Sequence, residues 1–114
     1  MSSSGANGPE VVICRFQVRE DREDEFREIL RGHWPALCEA GLVTDDAPQQ
    51  YRGLDAQGKP LWIEIFTWKD AESAGAAHAH PIISDTWGAM GPCVEDRDGP
   101  HRKWEFPHYK AIEL

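Results

Sequence analysis

The fold is decided by one stretch in the middle of the chain, Pro60-Leu61-Trp62-Ile63-Glu64-Ile65-Phe66-Thr67-Trp68. Side chains of a β-strand point alternately to its two faces. One face of this strand is aliphatic, with Leu61, Ile63 and Ile65. The other face has three large aromatic side chains around one acid: Trp62, Phe66, Trp68 and Glu64. Because a strand with two apolar faces needs cover on both, the sequence predicts a helix layer on one side and a second layer on the other.

Two further strands precede this one. Residues Gln49–Leu54 form a short strand joined to it by the polar turn Asp55–Lys59, which predicts a β-hairpin. Residues Val11–Arg19 alternate between a face that is apolar throughout and one that turns polar, as expected of a first strand.

A long amphipathic helix is predicted between the first strand and the hairpin. Its apolar stripe recurs at helical spacing and consists of Phe26, Leu30, His33 and Leu37. Asp21 is the expected N-cap and Gly41 the C-terminal stop. Pro35 lies inside this helix and should bend it, because proline lacks the backbone donor.

The second half of the chain completes the order β-α-β-β-α-β. Asp70 is expected to cap an alanine-rich helix that ends at Pro81, and Ser84–Met90 predicts another helical turn or two. The last strand is predicted at Lys103–Ile112, where Pro107 indicates an edge position. The fold class is therefore α+β and ferredoxin-like, an antiparallel sheet with helices on one face and with the first and third strands in its centre.

The composition sets limits on organisation and partners. The 114 residues suit one domain, predicted at 11–114 after a flexible N-terminal leader at 1–10. The net charge of −8 argues against a nucleic-acid partner, and no apolar run approaches the length of a membrane span. The leader lacks the features of a signal peptide, so a cytoplasmic location is expected.

The cysteines indicate neither a disulfide framework nor a zinc site. Cys14, Cys38 and Cys93 are odd in number and lack CxxC spacing. The expectation is three buried, reduced thiols of a cytosolic protein.

One family resemblance rests on the order of these elements and on two short patterns. The pattern Phe66-x-Trp68-x-Asp70, followed by His78-x-His80-Pro81, resembles the antibiotic-biosynthesis-monooxygenase family of dimeric α/β barrels. The resemblance covers Val11 to Leu114. It implies a homodimer whose sheets pack face to face, and a pocket between each sheet and its helices. Members of the family include cofactor-free oxygenases of polyphenols, haem-degrading enzymes and proteins without known activity.

Departures from the family pattern bear on cofactors. The haem-degrading branch has an asparagine on the first strand and an axial histidine late in the second helix, where this chain has Arg15 and Trp87. No haem or other cofactor is therefore expected. Elsewhere Phe66 stands where the family often has an acid, and the family's helix histidine falls on Ala77.

Histidines are the candidate catalytic residues, because imidazole titrates near neutral pH. His78 could be a pocket base or a helix-surface residue, and His33 a pocket base or a satisfied core residue. His78 and His80 are too far apart around a helix to share an ion, so no metal is expected. The candidate substrate-binding residues are Trp34, Trp62, Phe66, Trp68, Trp87, His108 and Arg15.

A wall of these residues suits a flat aromatic guest. The alternative is that the tryptophans form ordinary core and dimer interface. Arg15 and Glu64, on adjacent central strands, are also expected to face each other as a buried pair.

Three functions stay open at this stage. The first is a cofactor-independent monooxygenase acting on a small aromatic or polyketide-like substrate, in which His78 or His33 removes a proton and the carbanion reacts with O2. The second is a non-catalytic small-molecule-binding dimer, and the third a structural protein without a pocket. The sequence has no nucleophile elbow, phosphate loop or dinucleotide fingerprint, which argues against hydrolases and nucleotide-dependent enzymes.

Overall fold

The structure is a computed structural model that describes residues 8–97 and 106–114. Its strands are β1 (Glu10–Gln17), β2 (Gln49–Leu54), β3 (Pro60–Trp68) and β4 (His108–Tyr109), and its helices are α1 (Glu23–Glu39), α2 (Ser73–His78) and α3 (Pro81–Met90). Short 3-10 turns at Glu20–Arg22 and Gly91–Cys93 precede α1 and follow α3.

The four strands form one antiparallel sheet in the order β2-β3-β1-β4. The predicted ferredoxin-like α+β architecture is confirmed, with β1 and β3 in the centre, and β2 and β3 have the predicted bounds. Cys14 and Gln50 both lie opposite Glu64 in the sheet register. Glu64 therefore occupies the middle of the sheet, on the face that the helices cover.

The core lies between that face and α1. The predicted stripe of α1 is buried, including His33 with 2% of its surface exposed. Phe26 packs between Phe16 and Trp62, with ring centroids 5.0 and 5.5 Å away. These contacts fix the rotation of α1, and they bring His33 over the centre of β3.

The two ends of α1 differ from each other in how well they were predicted. Gly41 has φ of 74°, and the N–H of Leu42 donates to the carbonyl of Leu37 at 3.1 Å, so the glycine stop is confirmed. The Asp21 N-cap is wrong. A 3-10 turn takes up Asp21, the helix begins at Glu23, and Arg22 precedes it without a side-chain cap.

The second helical region is divided at Pro81. His80 is extended with ψ of 121°, because a residue before proline is driven out of the helical conformation. Pro81 then occupies the first turn of α3, where it needs no donor. Asp70 accepts the N–H of Glu72 and the hydroxyl of Ser73, so it organises the entry to α2 from two residues outside the N-cap.

A buried arginine, which the sequence reading missed, ties the loop after α3 to the hairpin. The side chain of Arg97 is 4% exposed and donates to Asp55 Oδ2 at 2.8 Å and to the carbonyl of Pro60 at 2.9 Å. Its backbone N–H donates to Gln17 Oε1 at 2.7 Å. The backbone N–H of Lys59 and then the Arg97 guanidinium lower the pKa of Asp55 to about 2.

The last strand was predicted less well than the others. Of the predicted last strand Lys103–Ile112, residues 103–105 lie outside the described residues, and the described part has strand structure only at β4. Most of the predicted leader also lies outside them, and β1 begins at Glu10.

The cysteine prediction needs one correction. Cys14 and Cys93 are buried and free, but Cys38 is free and exposed, because it lies on the solvent side of α1. Among the described helices none has the length and apolar character to cross a membrane.

Candidate functional site

A cavity of about 550 Å³ lies between the sheet and the helices. It is walled mainly by aromatic and aliphatic side chains, with a few polar groups among them. Six of the predicted site residues line it: His33, Phe66, Trp68, His78, Trp87 and His108. His33 is on the buried wall, whereas His78 and His108 are exposed residues at the rim.

Three predicted site residues lie elsewhere. Trp62 donates its indole N–H to Glu23 Oε1 at 2.8 Å and is covered by the Arg27 guanidinium, 4.9 Å from the ring centroid. Trp34 is half-buried against the core and is not part of the cavity wall.

Arg15 is on the opposite face of the sheet from the cavity. In the β1–β3 register Arg15 lies opposite Ile63, and Cys14 lies opposite Glu64. The predicted Arg15–Glu64 pair is therefore wrong, because neighbouring positions of a strand point to opposite faces.

The partner of Glu64 is His33 instead. His33 Nδ1 lies 2.7 Å from Glu64 Oε1, and both side chains are almost completely buried. The other carboxylate oxygen, Oε2, accepts the side-chain amide of Gln50 at 2.8 Å. On the far side of the imidazole, Trp87 Nε1–H donates to His33 Nε2 at 2.8 Å. One chain of hydrogen bonds thus runs from β2 through β3 and α1 to α3.

The direction of each hydrogen bond follows from the chemistry of the indole. An indole N–H can only donate, so His33 Nε2 carries no proton and must be the acceptor. The proton of the neutral imidazole is then on Nδ1, where it is donated to Glu64. With a second donor from Gln50, both oxygens of Glu64 act as acceptors, which suits a carboxylate. The network holds His33 in one tautomer and in one ring orientation.

Two further groups near the cavity have shifted pKa values, each with its own cause. Burial, together with the negative charge of Glu64, raises the pKa of Cys14 well above its usual value, so this thiol stays protonated. At the rim, the hydrogen bond from His108, 3.0 Å away, lowers the pKa of Glu10.

Aromatic edges and one unused donor complete the wall. Phe66 contacts His33 edge-on at 5.7 Å and Trp68 at 4.9 Å between centroids. The ring of His78 contacts Trp87 at 4.8 Å, so Trp87 lies between the two candidate bases. Trp68 is 3% exposed, and its buried indole N–H has no hydrogen-bond partner among the described residues. A bound molecule with an oxygen acceptor could satisfy that donor.

Metal-ligating side chains do not converge in the described part of the chain, where no group of three or more histidine, cysteine, aspartate or glutamate residues could hold an ion. His78 ends α2 and His80 precedes α3, so the two imidazoles belong to different elements.

No protein-family model matches the sequence. No curated protein matches it either. Solved structures do. SnoaB from Streptomyces nogalater, described as a cofactor-independent oxygenase, has a TM-score of 0.68 at 13% identity, with 94% of this chain and 96% of SnoaB covered. A candidate antibiotic biosynthesis monooxygenase from Bordetella bronchiseptica has a TM-score of 0.70 at 11% identity, with 93% and 99% covered. Another from Nitrosomonas europaea has a TM-score of 0.68 at 11% identity, with 93% and 92% covered.

The chain has the fold of the antibiotic biosynthesis monooxygenases. The resemblance drawn from the order of elements is therefore confirmed at the level of the fold. Identities this low carry the architecture and leave the activity and substrate to be argued from the site itself.

Within this fold, the sequence reading missed the hydrogen bonds that join His33 to Glu64 and Glu64 to Gln50. One signal was present: a single acid on an aromatic strand face, and a single histidine on an apolar helix stripe. Two isolated polar residues on surfaces that must face each other are expected to pair, because an unpaired buried carboxylate is costly.

Proposed function

We propose that this protein is a cofactor-independent monooxygenase that acts on a small aromatic or polyketide-like substrate in the sheet–helix cavity. The observation that carries the proposal is the position of His33 in the wall of that cavity, held in its Nδ1–H tautomer by Glu64. The description of SnoaB as a cofactor-independent oxygenase supports the same class of reaction.

His33 is the proposed catalytic base. A carboxylate behind the imidazole stabilises the imidazolium that forms when Nε2 takes a proton, as in other histidine–acid pairs. His78 remains a second candidate at the rim, where it would accept or release protons near solvent. The two histidines flank Trp87, so either one can reach a substrate that lies against the indole.

The proposed substrate is flat, aromatic and oxygen-bearing. Phe66, Trp68 and Trp87 offer aromatic surfaces for it, and the free indole N–H of Trp68 would donate to a carbonyl or phenolic oxygen. His108 closes the rim beside Trp68, with ring centroids 6.4 Å apart.

The substrate supplies all the electrons that the reaction needs. His33 removes a proton from an activated ring C–H2 or phenol, and the carbanion transfers one electron to O2. The substrate radical and superoxide combine into a C–O bond, and the peroxide takes up the proton held by His33. Loss of water from the hydroperoxide leaves a C=O group, so one substrate and one O2 give one ketone or quinone and one water. Apolar walls keep bulk water from the carbanion.

An oxygen electrode tests the proposal. With an anthrone-like phenol, the wild type should consume one O2 per substrate. His33→Asn keeps a donor for Glu64 but removes the base nitrogen, so the rate should fall about 100-fold or more. His78→Ala measures the contribution of the rim histidine, and His80→Ala is the matched control, because His80 is not in the cavity wall. No uptake by the wild type across a panel of such phenols, or full activity of His33→Asn, would refute the assignment.

A non-catalytic binding protein is the second candidate. The observation that favours it is the indole of Trp87, which occupies the nitrogen that a base would use. Binding of the same phenols without oxygen uptake would support this role.

We also propose that the protein is a homodimer. The sheet face away from the helices has half-buried apolar side chains, among them Ile13 and Ile65, which lie opposite each other on the two central strands, and Ile63, two positions along β3. A second copy packed on this face would cover them. Light scattering after gel filtration should give twice the chain mass for the wild type and a smaller mass for Ile63→Lys. Ile82→Lys, on the helix side, is the matched control and should leave the mass unchanged.

The location proposed for the protein is the cytoplasm, since its three cysteines are free thiols and a reducing compartment keeps thiols in that state.

A further inference from the structure

The base nitrogen of His33 is occupied by a group of the protein itself. Trp87 Nε1–H donates to His33 Nε2 at 2.8 Å, and Nδ1 is committed to Glu64 at 2.7 Å. We propose that Trp87 is a displaceable cap on His33, and that Glu64 makes the cavity select an uncharged aromatic ligand that donates a hydrogen bond. This inference rests on the proposed function and defines the ligand class of the same site.

The position of Trp87 allows the displacement. Its side chain is only half-buried, whereas His33 and Glu64 are fixed in the core. Besides the hydrogen bond to His33, its ring contacts the rings of His33 at 6.3 Å and of His78 at 4.8 Å between centroids, and its side chain packs against the edge of the core. An aromatic ligand in the cavity would cover the core surface that Trp87 leaves, and its hydroxyl at Nε2 would replace the lost hydrogen bond.

Only a donor can take the place of the indole. In the neutral imidazole whose Nδ1–H is donated to Glu64, Nε2 has a lone pair and no proton, which is why it accepts the indole N–H of Trp87. A phenolic O–H can donate to it, and an ether of the same shape cannot. The donor requirement therefore follows from the tautomer that Glu64 imposes.

The charge requirement comes from the groups that face the imidazole. The Glu64 carboxylate on β3 faces the imidazole directly. The neutral amide of Gln50 on β2 lies behind that carboxylate, and the neutral indole of Trp87 on α3 lies on the other side of the ring. On β1 the thiol of Cys14 stays protonated and neutral, because its pKa is raised. The rim histidine His78 is on the far side of Trp87.

An anionic oxygen at Nε2 would lie about 7 Å from the Glu64 carboxylate, across one imidazole ring. At an effective dielectric constant of about 20, that repulsion weakens binding roughly 50-fold. Glu64 and Gln50 act here through His33, so they are positioning residues. Trp87 and His33 are the residues that a ligand would contact.

Calorimetric titration of the full chain at neutral pH with three probes tests the idea. The probes are 1-naphthol, which donates, 1-methoxynaphthalene, which has a similar shape without the donor, and 1-naphthoate, which is an anion. The wild type should bind naphthol about 5-fold more tightly than methoxynaphthalene, the value of one hydrogen bond. It should bind naphthoate roughly 250-fold more weakly than naphthol, because naphthoate loses the hydrogen bond, about 5-fold, and also meets the repulsion, about 50-fold.

Two variants separate charge and capping from simple structural damage. Glu64→Gln keeps the shape and an acceptor for Nδ1–H but removes the charge, so the naphthol-to-naphthoate ratio should fall to within about 5-fold. A merely structural role would weaken all three probes alike and leave that ratio unchanged. Trp87→Phe keeps an aromatic ring and removes the indole donor, so naphthol should bind about 5-fold more tightly than to the wild type.

Several results would overturn the inference: equal affinity of the wild type for naphthol and naphthoate, naphthoate binding with proton uptake, weaker naphthol binding to Trp87→Phe, or no binding of any probe. If Glu64→Gln fails to fold, the affinity ratios of the wild type and the naphthol affinity of Trp87→Phe still test the inference. None of these measurements needs turnover. The expected affinities without oxygen uptake would refute the monooxygenase and leave the ligand class standing.

Discussion

The His33–Glu64 pair makes a sharp prediction for stability. His33→Leu leaves the Glu64 carboxylate fully buried, with only the amide of Gln50 as a partner. Removing one member of a buried pair costs about 3 to 5 kcal/mol. Leucine fills most of the volume of the imidazole and keeps contact with Phe66, which places the expected loss at the lower end, about 3 kcal/mol.

Glu64→Leu leaves the opposite defect, an imidazole N–H without an acceptor in the core. That costs about 2 kcal/mol. The double variant His33→Leu/Glu64→Leu leaves no buried charge and no orphaned donor between the two sites. Its partners at the ends of the network can turn to water, because Gln50 is exposed and Trp87 half-buried. The double variant should therefore lose no more than about 2 kcal/mol, less than His33→Leu alone.

Urea unfolding, followed by tryptophan fluorescence, gives the free energy of unfolding of the wild type, the two single variants and the double variant. This double-mutant cycle should show a coupling of about 3 kcal/mol between His33 and Glu64. Additive losses would refute the reasoning, and so would a His33→Leu variant within 1 kcal/mol of the wild type. Either result would mean that the carboxylate is solvated or neutral.

Three further predictions concern the rest of the fold. Because the pKa of Asp55 is lowered to about 2, its ionised form stabilises the fold above its usual pKa of about 4, and this contribution is lost as the pH falls from about 4 towards 2. The difference in urea midpoint between the wild type and Asp55→Asn should shrink over that range, and a constant difference would contradict the lowered pKa that the Lys59 N–H and Arg97 give Asp55. A thiol reagent should modify Cys38 promptly and Cys14 only after unfolding, since burial also raises the pKa of the latter; prompt loss of two thiols would contradict this. Gly41→Ala should cost about 1 kcal/mol in urea unfolding, since alanine is strained at φ of 74°; an unchanged midpoint would show that the turn relaxes.

Sequence patterns predicted the sheet well, because the alternation of apolar and polar side chains along each strand shows which of its faces are covered. The bounds of β2 and β3 follow from one polar turn and one alternating apolar run, which are local features. The glycine stop of α1 at Gly41 was predicted from an equally local signal. The end of the alanine-rich helix at Pro81 was also predicted locally, because a proline restricts the residue before it.

The site was predicted only in part, because its geometry depends on how elements pack. Whether Arg15 or Cys14 lies opposite Glu64 is a shift of one residue in register, which reverses every side chain of β1. His33 could be placed on the apolar face of α1, but its contact with Glu64 depends on the rotation of the helix over the sheet. Trp34 is next to His33 in sequence, yet a turn of about 100° per residue takes it away from the cavity.

The contacts of Arg97 have a consequence for the order in which the chain assembles. They join residues far apart in sequence: Arg97 reaches Gln17 across 80 positions and Asp55 across 42. The hairpin of β2 and β3 closes a short loop and can form early. The acceptors of Arg97 come together only when β1 and the hairpin are both in place. A contact made that late sets how long the native state survives and has little influence on how quickly it is reached.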